Sequence, residues 1–463
     1  MIKAVRGTRD LLPPDTDLWN RVEAKVRHVF ARYNYHEIRT PIFEDTSLFS
    51  RSVGEETDIV IKEMFTWEDR ARPSSGGASD VGLISGAGFA GGSASGAGFA
   101  DGTGYGGGRG QYLSLRPENT AGVVRAYIEH GLDKKGALQK LFYIGPQFRR
   151  ERPQKGRYRQ FYQIGAEIIG PPSAGSESPA RDAEVLEMLA TLLDDVGLRG
   201  WQLQLNSVGC AADRSRYNEA LREALKPVVH LMCADCQRRA ETNPLRVLDC
   251  KVPEDQPIIE KLPKISQYLD EPCREHFAVV RSMLDAVGVP YSINERMVRG
   301  LDYYTRTTFE FTHGDLGAQS AVLGGGRYDG LSESLEGPKA PGIGFAIGED
   351  RLILALQAEG VTADQKLDAY IAPLGTGMNC EALKLTRELR HAGVSADLGD
   401  ETFRLKKSFE AAERAGAKYV VIVGEKEVAS AEFAVKDLAT GQQEPVTRAK
   451  LSDFLKSRPA SSE

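Results

Sequence analysis

KLFYIGPQFRRERPQKGRYRQFYQIGAEIIG, residues 140–170, holds two strand-like runs around a loop whose Pro153 and Gly156 supply turn chemistry. It predicts a β-hairpin. Across 149–159, six basic residues (Arg149, Arg150, Arg152, Lys155, Arg157 and Arg159) accompany a single acid, Glu151. Side chains alternate across a strand, so Arg159, Phe161, Gln163, Gly165 and Glu167 share one face, while Tyr162, Ile164 and Ile168 share the other. The second set suits a core. The first offers an aromatic plane, an amide, a glycine and a carboxylate, which together suit the floor of a polar pocket. Gln163 and Glu167 would stand ~13 Å apart on an ideal strand, far enough to grip different ends of a ligand.

Four further stretches extend this pocket. YLSLRPENTAGVVRAYIEHG (112–131) predicts strand, turn and helix, with Glu118 and Thr120 at the turn. Asn119 or Thr120 can cap that helix, and a ligand amine would give Glu118 a second use. In VRGLDYYTRTTFEF (298–311), Arg299 precedes two adjacent tyrosines. If this is strand, Tyr303 and Tyr304 point to opposite faces, so at most one lines a pocket centrally. GGGRYDGL (324–331) and PGIGFAIGEDRL (341–352) bring backbone close to a neighbour and place Arg351 in the first turn of a helix, where anions are favoured. The sum is three anion-binding arginines (Arg149, Arg299 and Arg351), a stacking plane (Phe161) and two carboxylates (Glu118 and Glu167). That suits nucleotide chemistry at phosphorus, where positioning and charge neutralisation dominate. No G-x-x-x-x-G-K-[ST] loop occurs, which excludes a P-loop enzyme.

The 463 residues allow two to four domains, and 41% hydrophobic with 27% charged residues is ordinary for a soluble protein. A net charge of −6 argues against general coating of nucleic acid but leaves room for a local basic groove. No apolar run approaches the ~20 residues of a membrane span. MIKAVRGTRDLLPPD has no apolar signal core, so a cytoplasmic location and no membrane partner are expected. DLWNRVEAKVRHVFARY (17–33) predicts an amphipathic helix and WQLQLNSVG (201–209) a strand. Residues 182–196 predict a second helix, with Val185, Leu186, Leu189, Leu192 and Leu193 inward. Residues 211–285 are mostly helical text, an inserted subdomain. After a polar linker at 358–366, residues 367–463 alternate strand and helix in an α/β pattern.

FRRERPQKGRYRQFYQIGAE, VRGLDYYTRTTFEF and GGGRYDGL…PGIGFAIGEDRL closely resemble signature segments of the bacterial histidyl-tRNA synthetase family, within the class II aminoacyl-tRNA synthetases. TPIFEDTSLFSRSVGEETDIVIKEMFTWEDR (40–70) and NPLRVLDCK (243–251) extend the likeness over nearly the whole chain. The resemblance implies an α+β fold. Residues 1–357 would form a catalytic domain on an antiparallel six-stranded sheet, with the helical insertion, and 367–463 an anticodon-binding domain. It implies a homodimer built partly on residues 17–45. The partners would be ATP with Mg²⁺, L-histidine and tRNA(His), with no tightly bound cofactor. Arg149 would hold the ATP α-phosphate and the histidine carboxylate, and Glu151 would contact adenine. Phe161 and Arg351 would sandwich the base, and Arg351 would also reach the terminal phosphate. Glu118, Thr120 and Gln163 would bind the substrate amine. Glu167, with Tyr304 and Tyr303, would read the imidazole, and Arg299 would stabilise charge at the α-phosphorus. The turn reads RPENT where the family often has RPEGT, so Asn119 is expected in a backbone shape that glycine accepts.

Two rivals share the fold. A non-catalytic regulatory paralogue that supports an ATP phosphoribosyltransferase typically lacks the last domain and part of the ATP machinery. A prolyl- or threonyl-type synthetase would not carry Glu167 with VRGLDYY. Cys233-Ala-Asp-Cys236, with Cys250 and Cys273, invites a zinc reading. No second paired knuckle follows, however, and the family resemblance requires no metal, so none is expected. Residues 84–110, ISGAGFAGGSASGAGFADGTGYGGGRG, twice match G-x-G-x-x-G, within a low-complexity insert spanning about 70–111. No strand precedes either match and no helix follows, so both are decoys. The expectation is a surface loop, largely disordered and replaceable by a short turn.

Overall fold

The computed structural model describes residues 2–54, 57, 59–69, 111–154, 156–298, 301–314, 316, 320–362 and 367–456. The glycine-rich insert and its expected disorder lie outside these residues. The chain divides into two compact units, Met1–Thr362 and Ala363–Glu463.

The first unit contains strands β1 (His36–Glu37), β2 (Phe43–Asp45), β3 (Thr66–Asp69), β4 (Gln111–Leu115), β5 (Gln139–Phe148) and β6 (Gln160–Ile169). It continues with β7 (Gln202–Ser207), β8 (Tyr291–Ile293), β9 (Thr305–Thr312), β10 (Ala321–Arg327) and β11 (Gly342–Gly348). The main sheet has eight strands in the order β1-β5-β6-β11-β10-β9-β7-β8. The strands from β5 to β7 in that order are all antiparallel. β1 and β8 add parallel at the two edges. The expected six-stranded antiparallel sheet is therefore the centre of a wider one. The edge strands have two and three residues, too short to show a period-2 pattern in sequence.

The alternation along β6 separates core from cleft. Tyr162 meets Trp19 edge-on with ring centroids 5.3 Å apart, and Ile164, Ala166 and Ile168 are buried. Helix Asp15–Arg32 covers this face with Leu18, Trp19, Val22, Val26, Val29 and Phe30. Phe30 reaches Phe142 of β5 at 5.1 Å and Phe345 of β11 at 6.1 Å. Because this apolar face is spent inside the chain, the helix cannot offer it to a second copy. Helix Pro179–Val196 starts at Ser178, whose Oγ accepts from the Ala180 N–H, and stops at Gly197 in the left-handed region. It buries the five aliphatic residues read from its sequence and also Asp182. The Asp182 carboxylate receives Nε of the fully buried Arg327 at 3.1 Å and His276 Nε2 at 2.8 Å. The arginine of GGGRYDGL is thus spent on holding the end of β10 and is not available to substrate.

Residues 211–287 form helices Ala211–Leu225, Ala234–Thr242, Gln256–Ile259 and Glu271–Val287, joined by short 3-10 turns. They enclose a separate apolar cluster around Tyr217, Leu221, Val247, Leu248 and Ile259. The second unit is a five-stranded sheet ordered β13-β12-β14-β15-β16, with β12 (Leu367–Pro373), β13 (Ala396–Leu398), β14 (Ala417–Val423), β15 (Glu432–Asp437) and β16 (Gln443–Thr447). β13, β12 and β14 run parallel, and β15 and β16 add as an antiparallel extension. Helices Met378–His391 and Leu405–Arg414 supply the α/β alternation. Among the described residues, no helix is long and apolar enough to cross a membrane.

Candidate active site

β5 and β6 pair from Gln139↔Ile169 to Phe148↔Gln160, so the basic stretch 149–159 forms the hairpin loop. On the face away from helix Asp15–Arg32 a cleft of about 760 Å³ opens. Its lining includes Glu118, Thr120, Arg149, Glu151, Phe161, Gln163, Tyr303, Tyr304 and Arg351. Residues far apart in sequence thus converge as expected, with two exceptions. Arg299 lies outside the described residues, and Glu167 sits beneath the cleft wall with no exposed surface.

Glu118 precedes helix Thr120–Glu129 and is buried. Its Oε2 accepts from the Thr120 N–H at 2.7 Å and its Oε1 from the Ala121 N–H at 3.0 Å. The cap is therefore supplied by Glu118 itself, and Asn119 makes no side-chain cap. Burial raises the Glu118 pKa, against the two amide bonds and Arg149. Asn119 has φ −117°, so the glycine-like shape expected of it is not used. Its Oδ1 instead accepts from Thr40 Oγ1 at 2.6 Å and Arg116 Nη1 at 3.3 Å, which fixes the turn through side chains.

Glu167 Oε1 accepts from Thr120 Oγ1 and Oε2 from the Tyr328 hydroxyl, each at 2.7 Å. Burial pushes its pKa up to about 8; the two hydroxyl donors oppose the shift and the nearby Glu118 carboxylate adds to it. No cation pairs with it among the described residues. Each oxygen keeps a second lone pair for a ligand donor. Gly344 makes room for this group, and Gly165 for the Tyr143 ring. A Cβ on Gly344 would run into the Glu167 carboxylate, and one on Gly165 would run into the ring of Tyr143.

Nearer the hairpin loop, Gln163 Oε1 is buried without a partner among the described residues, an acceptor suited to an ammonium group. Arg149 Nε donates to Pro117 O at 2.9 Å, and its Cζ stands 5.2 Å from the Phe161 ring centroid. Glu151 pairs with Arg157 Nη1 at 2.8 Å. Arg351, third in helix Glu349–Ala358, donates from Nη1 to Ala321 O at 2.7 Å. Burial lowers its pKa and neighbouring Arg157 lowers it further, so the charge is held where an incoming anion would relieve it.

Tyr303 and Tyr304 depart from expectation. Both line the cleft, with ring centroids 4.8 Å apart. Strand β9 starts only at Thr305, and Asp302 and Tyr303 form a turn, so strand alternation does not govern the pair. The sequence reading also passed over Tyr328, Tyr143 and the wall formed by Arg246, Lys251, Gln256 and Arg296. Tyr328 stood inside a quoted glycine motif, where the tyrosine itself was the signal.

Comparison with known proteins accords with this geometry. Residues 107–352 match the family model for histidyl-tRNA synthetase, and residues 368–458 match the anticodon binding domain. The chain is 70% identical over 460 residues to a histidine–tRNA ligase of Koribacter versatilis, covering 99% of this chain and 97% of that one. It is 54% identical over 456 residues to that of Solibacter usitatus, covering 98% of this chain and 99% of that one. The solved structure of apo histidyl-tRNA synthetase from Staphylococcus aureus aligns with a TM-score of 0.74 at 36% identity, covering 99% of this chain and 100% of that one. A catalytic sheet, a polar cleft on one of its faces and a C-terminal anticodon-binding module accordingly identify the chain as a member of the histidyl-tRNA synthetase family.

Proposed function

We propose that the cleft activates L-histidine with ATP and transfers the histidyl group to the 3′ end of tRNA(His), the reaction of a histidine–tRNA ligase. The observation that carries this reading is the order of groups along one strand face. Phe161, Gln163 and Glu167 follow one another on β6, with Arg149 and Arg351 at the loop end and Glu167 at the buried end. Nucleotide recognition thus falls at one end and side-chain recognition at the other.

ATP enters as its Mg²⁺ complex. Phe161 and Arg351 hold the adenine, Glu151 contacts it, and Arg149 neutralises the α-phosphate while orienting the histidine carboxylate. Glu118, Thr120 and Gln163 accept from the ammonium group. Glu167, with Tyr303 and Tyr304 alongside, accepts from the imidazole on its spare lone pairs. A carboxylate oxygen of histidine then attacks the α-phosphorus, the bond to the β-phosphate bridge breaks, and pyrophosphate leaves. Arg299 is assigned the charge that develops at that phosphorus. In the second step a ribose hydroxyl at the tRNA 3′ end attacks the activated carbonyl and AMP leaves. The enzyme supplies position and fixed charge.

The chain acts as a homodimer in the cytoplasm. Phe43 and Trp67, exposed on the small sheet β2-β4-β3 with ring centroids 6.2 Å apart, are the apolar surface such an interface would cover. The regulatory reading has no support beside relatives that carry the ligase name at 70% and 54% identity. ATP–pyrophosphate exchange tests the activity: exchange that depends on histidine and not on proline or threonine is expected, and its absence with histidine rejects the reading.

A further inference from the structure

The helical part of the first unit gathers thiols that this chemistry does not use. Cys233, Cys236, Cys250 and Asp255 each place one ligand atom within 4.8 Å of the others. Cys233 Sγ is 3.9 Å from Cys250 Sγ, and Cys250 Sγ is 3.2 Å from Asp255 Oδ2. A disulfide needs a separation of about 2.0 Å, and all six cysteines are free thiols. Two sulfurs bound at about 2.3 Å to one tetrahedral zinc stand about 3.8 Å apart. The sulfur spacing is therefore that of two ligands on one ion.

We propose that Cys233, Cys236 and Cys250 Sγ together with an Asp255 carboxylate oxygen form a structural zinc site. On binding Zn²⁺ the three thiols release three protons to solvent and the carboxylate completes a closed tetrahedral shell. Burial pushes the Cys236 and Cys250 thiols up, so it is the charge of the ion that would deprotonate them. Cys233 precedes helix Ala234–Thr242 and Cys236 lies in its first turn, at the positive end of the helix dipole. The Val252 N–H points at Cys250 Sγ at 3.4 Å, and the Cys233 N–H donates to Asp255 Oδ1 at 3.1 Å. Such outer bonds orient metal ligands.

The sequence grouped Cys273 with this knuckle, and the structure separates it. Cys273 lies with Cys210, Asp213 and Asp270. In that second cluster the carboxylates are consumed by helix starts: Asp270 Oδ1 accepts from the Cys273 N–H at 2.9 Å, and Asp213 Oδ2 from the Cys210 N–H at 3.1 Å. Asp213 Oδ1 also takes the Asp270 N–H at 3.0 Å and pairs with Arg216. With two sulfurs rather than three, and Asp213 already paired to Arg216, that cluster suits a thiolate-bound zinc less well.

The zinc would also bear on the cleft. Cys250 lies between Asp249 and Lys251, both of which line it, as do Arg246, Leu248 and Gln256. Tying residues 233, 236, 250 and 255 to one ion would fix this wall without touching substrate. The test is metal content of the full chain, purified without chelator under reducing conditions. About one zinc per chain is expected for the wild type and for Cys210→Ser and Cys380→Ser, and a tenfold or greater loss for Cys250→Ser. Since Cys250→Ser can fail to fold, wild type stripped of metal is also titrated with Co²⁺, which should give the intense visible bands of tetrahedral thiolate cobalt and lose them on adding Zn²⁺. Folded, reduced wild type that holds no zinc and gives no thiolate–cobalt band overturns the proposal. Loss of metal from Cys210→Ser with retention by Cys250→Ser overturns the ligand assignment.

Discussion

Replacing Glu167 by glutamine probes the buried end of the cleft in two independent ways. The Glu167 pKa is raised from 4.5 to about 8, first through burial. Between those values the folded chain keeps a proton that the unfolded chain releases, so this group makes stability fall as pH rises. The slope approaches about 1.4 kcal/mol per pH unit, and over the whole window the loss reaches about 5 kcal/mol. Glutamine keeps the shape, stays neutral, and can exchange hydrogen bonds with the Thr120 and Tyr328 hydroxyls. Urea midpoints of wild type and Glu167→Gln, measured without ligand from pH 5 to 8.5, should therefore diverge in favour of the variant as pH rises. Titrating groups that do not interact with Glu167 cancel in the difference; Glu118 does interact, as its carboxylate adds to the Glu167 shift. In steady state the same variant should raise KM for histidine. Above pH 8, where the carboxyl is ionised, loss of a charge-assisted hydrogen bond worth about 1.5–3 kcal/mol predicts roughly a 10- to 150-fold increase, with KM for ATP little changed. Parallel stability curves would refute the buried, uncompensated carboxyl, and equal changes in both KM values would refute its assignment to the imidazole.

Arg299→Ala should lower ATP–pyrophosphate exchange by about 100-fold or more, as for a lost oxyanion donor of about 3 kcal/mol; near-normal exchange would remove Arg299 from the chemistry. Replacing residues 76–109 with a short turn should leave histidine activation intact, and its loss would give the glycine-rich insert a role. A chain ending before residue 367 should retain histidine-dependent exchange and lose efficient aminoacylation of tRNA(His), whereas full aminoacylation would count against anticodon binding by 367–463.

The cleft was legible in sequence where strand alternation governs. The β6 pattern separates Phe161, Gln163 and Glu167 from Tyr162, Ile164 and Ile168, because side chains two apart share a face. It failed at Tyr303 and Tyr304, where a turn replaced the assumed strand. It also failed at Asn119, where Thr40, remote in sequence, joins Arg116 in fixing the turn through side chains. Edge strands β1 and β8 were invisible because two or three residues carry no period. The thiol cluster was misgrouped for a related reason. Spacing along the chain cannot tell that Asp255 folds onto Cys233 while Cys273 pairs its surroundings with Cys210.

A crystal structure of the chain with a non-hydrolysable histidyl-adenylate analogue tests the central assignment most directly. The account predicts adenine against Phe161, the ammonium group among Glu118, Thr120 and Gln163, and the imidazole within hydrogen-bond reach of Glu167. An analogue bound outside the cleft, or with its imidazole at the Arg149–Arg351 end, would contradict it.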